Sequence, residues 1–422
     1  MISGRGTGEP LASRAGATAD AVRPASTRPR TRVSVVDVLR GLVMVIMALD
    51  HTREFFTDYA GNPLDPQQTS FALYMTRWVT HLCAPVFVFL AGTSIFLQQQ
   101  TKNTRELTAL LLTSGVWLIV AELTLVHLAF NFNWQWNVQI LEVIWAIGAS
   151  MSIMALLVHL GVRANLLFGA ALIFGHNAFD RVMPQNVAPL GWLWALLHVP
   201  GLITGPPTAP PIVILAYPLL PWIGVMAMGY VFGSVLLKER EKRILFEVRA
   251  GVAMLGVFAL LRWSNLYGDP FPWTKQAELW RTLASFMNVQ KYPPSLLFLM
   301  ATLGLASLMM AWIEFTEEHG LINRVRRVLE VYGRVPFFYF LLHIALIHLL
   351  AVFLAVITRS DWPWWFREFP NGGVLTGRPP GFGVGLVTVW CIWIFVVACC
   401  YPACKWYGRI RTQSRKRLLS YL

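Results

Sequence analysis

The chain has 422 residues, 56% of them hydrophobic and 14% charged, with 18 Trp, 26 Phe and a mean hydropathy of +0.53. A soluble domain carries about a quarter charged residues, so this balance excludes a soluble enzyme and describes a chain whose solvent is mostly lipid. The formal charge of +13 would suit nucleic acid only if the cations formed one patch on a soluble fold.

Residues 1–32 are rich in Arg, Ala, Ser, Thr and Pro, with Glu9 and Asp20 as the acidic side chains, and read as a disordered basic tail. From Val33 onward, apolar runs of about 20 residues recur, the length a helix needs to cross ~30 Å of hydrocarbon. The expected runs are 34–54, 76–97, 107–128, 138–160, 164–179, 212–237, 246–263, 293–314, 336–358 and 383–404. These predict an all-α integral membrane protein: a bundle of about ten transmembrane helices over residues 33–405, followed by a basic tail over 406–422. The segments 183–211 and 264–292 have room for re-entrant pieces, which sets the count between nine and eleven.

Lys and Arg accumulate on the cytoplasmic side of membrane proteins. With the N-terminus inside, the tail, the turns at 98–106 and 163, the Lys238-Glu239-Arg240-Glu241-Lys242-Arg243 run with Arg249, the 319–334 stretch and the C-terminal tail hold 24 of the 35 basic residues. The opposite side holds nine, and Arg40 and Arg77 lie within or at the edge of runs. This asymmetry predicts both termini in the cytoplasm and accounts for the net charge without nucleic acid. The clusters Phe130-Asn131-Phe132-Asn133-Trp134-Gln135-Trp136 and Trp362-Pro363-Trp364-Trp365-Phe366 fall on the other side, where amphipathic rings settle at the headgroups. Cys83, Cys391, Cys399, Cys400 and Cys404 show neither a disulfide framework nor a metal spacing and read as small apolar fillers.

Ionisable groups within spans are costly and need a partner or a water-filled cavity. In the first run Asp37 and Arg40 lie three apart on the inner half, and Asp50 and His51 at the outer end. Eleven residues at about 100° each return His51 to within about 20° of Arg40 and ~16 Å along the axis. One helix face therefore offers a cation near one side and an imidazole near the other. Arg77 and His81 enter the second run at a depth similar to His51. Glu122 and His127 close the third run and Glu142 opens the fourth, so an outer polar cavity is expected, with Tyr339, His343 and His348 as further contributors. Asp37 with Arg40 serves equally as a charge-neutralising pair. His159, His176 and His198 read as packed or interfacial rings, and no spacing supports a metal site built from His51, His81 and His127.

The segment Leu39-Arg40-Gly41 through Leu49-Asp50-His51 resembles the Arg-x10-His signature on the first helix of the acyltransferase-3 membrane O-acetyltransferases. More specifically, His51-Thr52-Arg53 followed by Thr80-His81-Leu82-Cys83-Ala84-Pro85-Val86-Phe87-Val88-Phe89-Leu90-Ala91-Gly92 resembles the bacterial membrane proteins grouped with the catalytic domain of heparan-α-glucosaminide N-acetyltransferase. Tyr217-Pro218-Leu219-Leu220-Pro221-Trp222, Asn265-Leu266-Tyr267-Gly268-Asp269-Pro270, Lys291-Tyr292-Pro293-Pro294, Tyr332-Gly333-Arg334 and the final Leu419-Ser420-Tyr421-Leu422 continue it, over essentially everything after residue 32.

The resemblance implies a multi-pass transferase of the inner (cell) membrane that moves an acetyl group from cytoplasmic acetyl-CoA to a sugar-like or other small-molecule acceptor on the far side. It needs no metal or nucleic acid, and its other partners would be membrane lipids and a second copy of the chain in a homodimer. His51 matches the signature histidine and Arg40 the signature arginine. The eukaryotic enzyme carries its active histidine ahead of its second helix, and the stretch here, about Gln67 to Phe71, has none, which favours direct transfer over an acetyl-histidine intermediate. The chemistry asks for a base near pH 7, supplied by His51 or His81, and an orienting carboxylate, for which Asp50, Glu122 and Glu142 are candidates. Arg40, with Asp37 beside it and Arg240, Lys242 and Arg243 nearby, is the expected donor site; Arg77, Glu122, Glu142 and His343 are the expected cavity residues. The alternative is a proton-coupled transporter, and the third reading a structural or assembly membrane protein.

Overall fold

The computed structural model describes residues 30–202, 212–317, 320–367 and 377–413, with Gly4 and Asn371. The expected tails, apart from the residues just named, and the final Leu419-Ser420-Tyr421-Leu422 lie outside the described residues. In chain order the elements are α1 Arg30–Phe56, α2 Phe71–Trp78, α3 Cys83–Gln99, α4 Thr104–Ala121, α5 His127–Asn131, β1 Val138–Leu141, α6 Val143–Leu157, α7 Gly161–Gly175 and α8 Gly191–His198. They continue with β2 Gly201–Leu202, β3 Ile212–Leu215, α9 Leu219–Gly233, α10 Arg240–Ser264, α11 Leu279–Met287, α12 Leu296–Phe315, α13 Gly320–Gly333, α14 Pro336–Ile357 and α15 Leu386–Gln413.

Among the described residues, eight helical stretches are long and apolar enough to cross a membrane. One of them, Val143–Phe179, has 37 residues, about 55 Å of helix, nearly twice the hydrocarbon thickness. Gly161, at φ 77°, breaks it, and α6 and α7 each pack on α9. The 27-residue α1 is set apart from the eight by Asp37, Arg40, Asp50, Arg53 and Glu54. With that break and α1 included, each of the ten expected runs has a helical counterpart, and the protein is an all-α multi-pass membrane protein.

Three expectations change in detail. The fourth and sixth runs do not open as helices: Val138–Leu141 pairs in parallel with Ile212–Leu215, Val138 opposite Ile212, and β2 adds antiparallel on the other edge of β3. Ile212-Val213-Ile214 is β-branched, and Pro218 biases the residue before it away from helix, so the short run finds its hydrogen bonds in a neighbouring strand. The 319–334 stretch, expected as a loop, holds α13, Gly320–Gly333. Backbones of α1 and α13 touch where side chains vanish: a Cβ on Gly333 would lie 1.9 Å from the Asp37 carbonyl oxygen, and one on Gly41 1.9 Å from that of Leu329.

Polar contacts sort the loops onto two ends of the bundle. At one end Ser34 donates to Glu330, Arg326 pairs with Glu317, Arg243 with Glu314, and the Arg411 guanidinium donates to the Arg334 carbonyl. At the other, Arg281 donates to the carbonyls of Pro66 and Gln67, Arg378 to that of Tyr59, and Asn133 to that of Phe366. Among the described residues, the basic segments around Arg243, residues 326–334 and Arg411, assigned to one side by charge counting, thus share one end.

Candidate active site

One face of α1 builds the interior. At helical spacing, Arg40, Met44 and Met47, then Asp50, His51 and Glu54, line three cavities that follow one another along the bundle. The first, about 260 Å³, runs from Arg40 and Ser94 past Met44 and Leu118 to Met47, Phe87 and Phe340. The second, about 80 Å³, shares Met47, Phe87, Val143 and Phe340 with it and holds Asp50, His51, Glu54, Glu142, Tyr217 and Lys291. The third, about 250 Å³, shares Glu54, Phe130 and Glu142 with the second and adds Glu122, His127, Asn131 and Gln139. At the Arg40 end a cleft of about 620 Å³ is walled by Asp37, Arg40, Arg334, Lys405, Arg409 and Arg411.

At the centre, His51 Nδ1 lies 2.8 Å from His343 Nε2, with the rings stacked at 5.0 Å, and His343 Nδ1 lies 2.7 Å from the Tyr339 carbonyl oxygen. A carbonyl only accepts, so His343 carries its proton on Nδ1 and offers the Nε2 lone pair. His51 then donates from Nδ1, and its Nε2 is left with a lone pair: the neutral tautomer that can take a proton. His343 is fully buried, and Phe130 and Phe340 meet the His51 ring edge-on, so the imidazole is held by both bonding and packing.

Asp50 does not orient His51. Its Oδ2 accepts from Arg77 at 2.8 Å and its Oδ1 from Arg53 at 3.1 Å, and the Arg77 guanidinium also donates to Thr80. Glu122 is likewise engaged: its carboxylate accepts from the backbone N–H groups of Glu142 and Trp145, capping the start of α6 from a π-bulge at Glu122–Val126. The orienting partner sought among carboxylates is the histidine of α14.

His81 is placed elsewhere, correcting the expectation that it shares the cavity of His51. Residues Val79–Leu82 form a 3-10 turn between α2 and α3, whose three-residue period alters the helical phase. Thr80, Cys83, Ala84 and Phe87 therefore face the cavity, while the buried His81 ring packs against Phe298 of α12 at 5.3 Å.

At the other end of α1 Arg40 donates to Asp37 at 3.1 Å, to the Gly333 carbonyl at 3.0 Å and to Ser94 at 3.1 Å, tying α1 to α13 and α3. The expected helpers lie away from it. Arg243 pairs with Glu314 through a buried two-pronged contact, Arg240 donates to the Glu314 carbonyl, and Lys242 pairs with Glu239. The cations that do stand beside Arg40 are Arg334, Lys405, Arg409 and Arg411.

Residues 32–266, more than half of the chain, match the family described as heparan-alpha-glucosaminide N-acetyltransferase, catalytic. The chain belongs to this family. It is a membrane protein of an acetyltransferase family whose members use acetyl-CoA as co-substrate. No curated protein gives a match. The matched region carries Arg40, Asp50, His51, Arg77, His81, Glu122, Glu142 and Tyr217; His343, Lys291 and the basic wall of the cleft lie beyond it.

Glu54, Tyr217 and Lys291 line the central cavity and were not singled out as site residues. Tyr217 and Lys291 stand inside the motifs Tyr217-Pro218 and Lys291-Tyr292-Pro293, which was the available signal. Lys291 is delivered by a loop that Asp269 anchors, accepting from the Gln290 N–H at 2.8 Å and the Ser295 hydroxyl at 2.7 Å.

Proposed function

We infer that the protein transfers an acetyl group from acetyl-CoA, entering at the Arg40 end, to a sugar-like acceptor that reaches His51 from the opposite end. The observation that carries this reading is the His51–His343–Tyr339 chain at the junction of cavities that lead to both ends of the bundle. The cleft of Arg334, Lys405, Arg409 and Arg411 suits the phosphates of CoA, and the Met-, Leu- and Phe-lined cavity beyond Arg40 suits its pantetheine arm. Arg40 to His51 is ~16 Å along α1, comparable with that arm's reach. His51 Nε2 accepts the proton of the acceptor's hydroxyl or amine as its oxygen or nitrogen attacks the thioester carbonyl, and CoA leaves as the thiol. Lys291 and Tyr217 supply donors for the oxyanion in the central cavity. In this reading the Arg40 end and both termini face the cytoplasm of the cell membrane.

The test is vectorial. Proteoliposomes receive acetyl-CoA labelled in the acetyl group on the cleft side, and a panel of amino sugars and neutral sugars on the other. Release of CoA thiol together with labelled acceptor is expected. Labelled solute crossing intact with no thiol released would instead make the protein a transporter, which the acidic and basic groups of the cavities would also serve.

A further inference from the structure

A second cluster of chemically capable side chains lies outside the cavities of His51. His176 stands in the 3-10 turn His176–Phe179 that follows α7, Asp180 closes that turn, and His198 is the last residue of α8. One donor atom from each of the three lies within 4.8 Å of the other two. Both imidazoles are buried, at 3% and 2% exposure. The pairing of His198 Nε2 with Asp180 Oδ1 at 3.3 Å accounts for one ring nitrogen. Among the described residues, both nitrogens of His176 and Nδ1 of His198 are buried with no hydrogen-bond partner. Buried polar atoms are ordinarily satisfied, and an imidazole with neither nitrogen bonded, beside a second buried imidazole and a carboxylate, asks for a shared cation.

We propose that His176, Asp180 and His198 form a binding site for a divalent transition-metal ion of the Zn2+ type. Zinc bonds imidazole and carboxylate at about 2.0–2.2 Å in a tetrahedron, whose donor-to-donor edge is then about 3.4 Å. The 3.3 Å contact already has that length, and the remaining spread closes with small side-chain rotations. Two nitrogens and one oxygen suit zinc and its neighbours, whereas magnesium and calcium prefer oxygen throughout. The shell around the donors is built to hold them. Asn177 Nδ2 donates to Asp180 Oδ2 at 2.8 Å and turns Oδ1 toward the imidazoles, while Asn177 Oδ1 accepts from the Leu296 N–H. Trp194 packs on His198 at 5.0 Å and is fixed by its indole N–H to the Val182 carbonyl. Three protein ligands leave a fourth position for water. The ion would fasten the turn after α7 to the end of α8.

The full-length protein in detergent, stripped with chelator and dialysed, is titrated with Co2+ and then Zn2+. One equivalent of Co2+ with the strong visible absorption of four-coordinate cobalt is expected, bleached by Zn2+, together with a Zn2+-dependent rise in Tm. Competition with a chromophoric chelator should show affinity for Zn2+ falling at least 100-fold in His176→Gln and His198→Gln, about tenfold in Asn177→Ala, and unchanged in His159→Gln. No uptake by the wild type, a pale six-coordinate cobalt spectrum, or unaltered affinity in the His176→Gln/His198→Gln double variant overturns the site. Should the variants not fold, the wild-type spectrum and Tm shift decide alone. None of these readouts depends on acetyl transfer.

Discussion

The two ends of α1 use similar residues for different ends. At Arg40 the guanidinium spends its donors on three protein acceptors, Asp37 of its own helix and Gly333 and Ser94 of two others, so it is first a joint of the scaffold. At His51 the bonding stops one step short: the relay from Tyr339 through His343 fixes one nitrogen and leaves the other with a lone pair. Saturated polar groups hold a bundle together, while an oriented, unsaturated one can do chemistry. A charge inside a span therefore identifies a polar site without telling which of these it is.

The largest effect expected from this contrast is at His51. His51→Gln should lower the rate of CoA release by 10²- to 10⁴-fold with fold and acetyl-CoA binding retained, as loss of a general base does. A rate within threefold of wild type would move the chemistry elsewhere in the cavity.

At the other end the cost should appear in stability. Arg40→Gln leaves Asp37 with only the exposed Arg334, 3.8 Å away, and breaking a mostly buried pair costs up to about 3–5 kcal/mol, read as a lowered Tm in detergent. Asp37→Asn with Arg40→Gln should recover much of this, but not all, because the Gly333 carbonyl still lacks its donor, worth about 1–3 kcal/mol. Full recovery of both Tm and acetyl-CoA affinity would reduce Arg40 to charge neutralisation.

His343→Gln tests the relay itself. Since His343 acts through His51, we expect kcat to fall ten- to a hundredfold with KM for acetyl-CoA little changed, and the pH profile to shift as the His51 tautomer is freed. A change in KM alone would make His343 a packing residue. Arg409→Gln with Arg411→Gln should raise KM for acetyl-CoA about three- to tenfold and weaken its dependence on salt, because exposed cations act through screened attraction. The smallest effect belongs to His81→Gln, which should leave kcat within about threefold, since the His81 ring faces α12 rather than the cavity. A large loss there would restore His81 to the catalytic set.

Sequence alone determined what lipid and geometry dictate. Apolar runs of the length of the bilayer predicted the helices, charge counting grouped loops that do share an end, and the eleven-residue spacing placed Arg40 and His51 on one face of α1. The motifs around Arg40, His51 and Cys83 pointed to the family that residues 32–266 match. Tertiary structure decided the rest, because it depends on phase and on neighbours distant in sequence. A 3-10 turn of four residues sends His81 toward α12, a π-bulge turns Glu122 onto the start of α6, and two short apolar runs prefer a sheet. His343 meets His51 across 292 residues, and His176 meets His198 across a loop, so neither pair leaves a spacing that a sequence can display. Single buried histidines look alike along a chain, and only their partners, or lack of them, distinguish a packed ring from a base or a ligand.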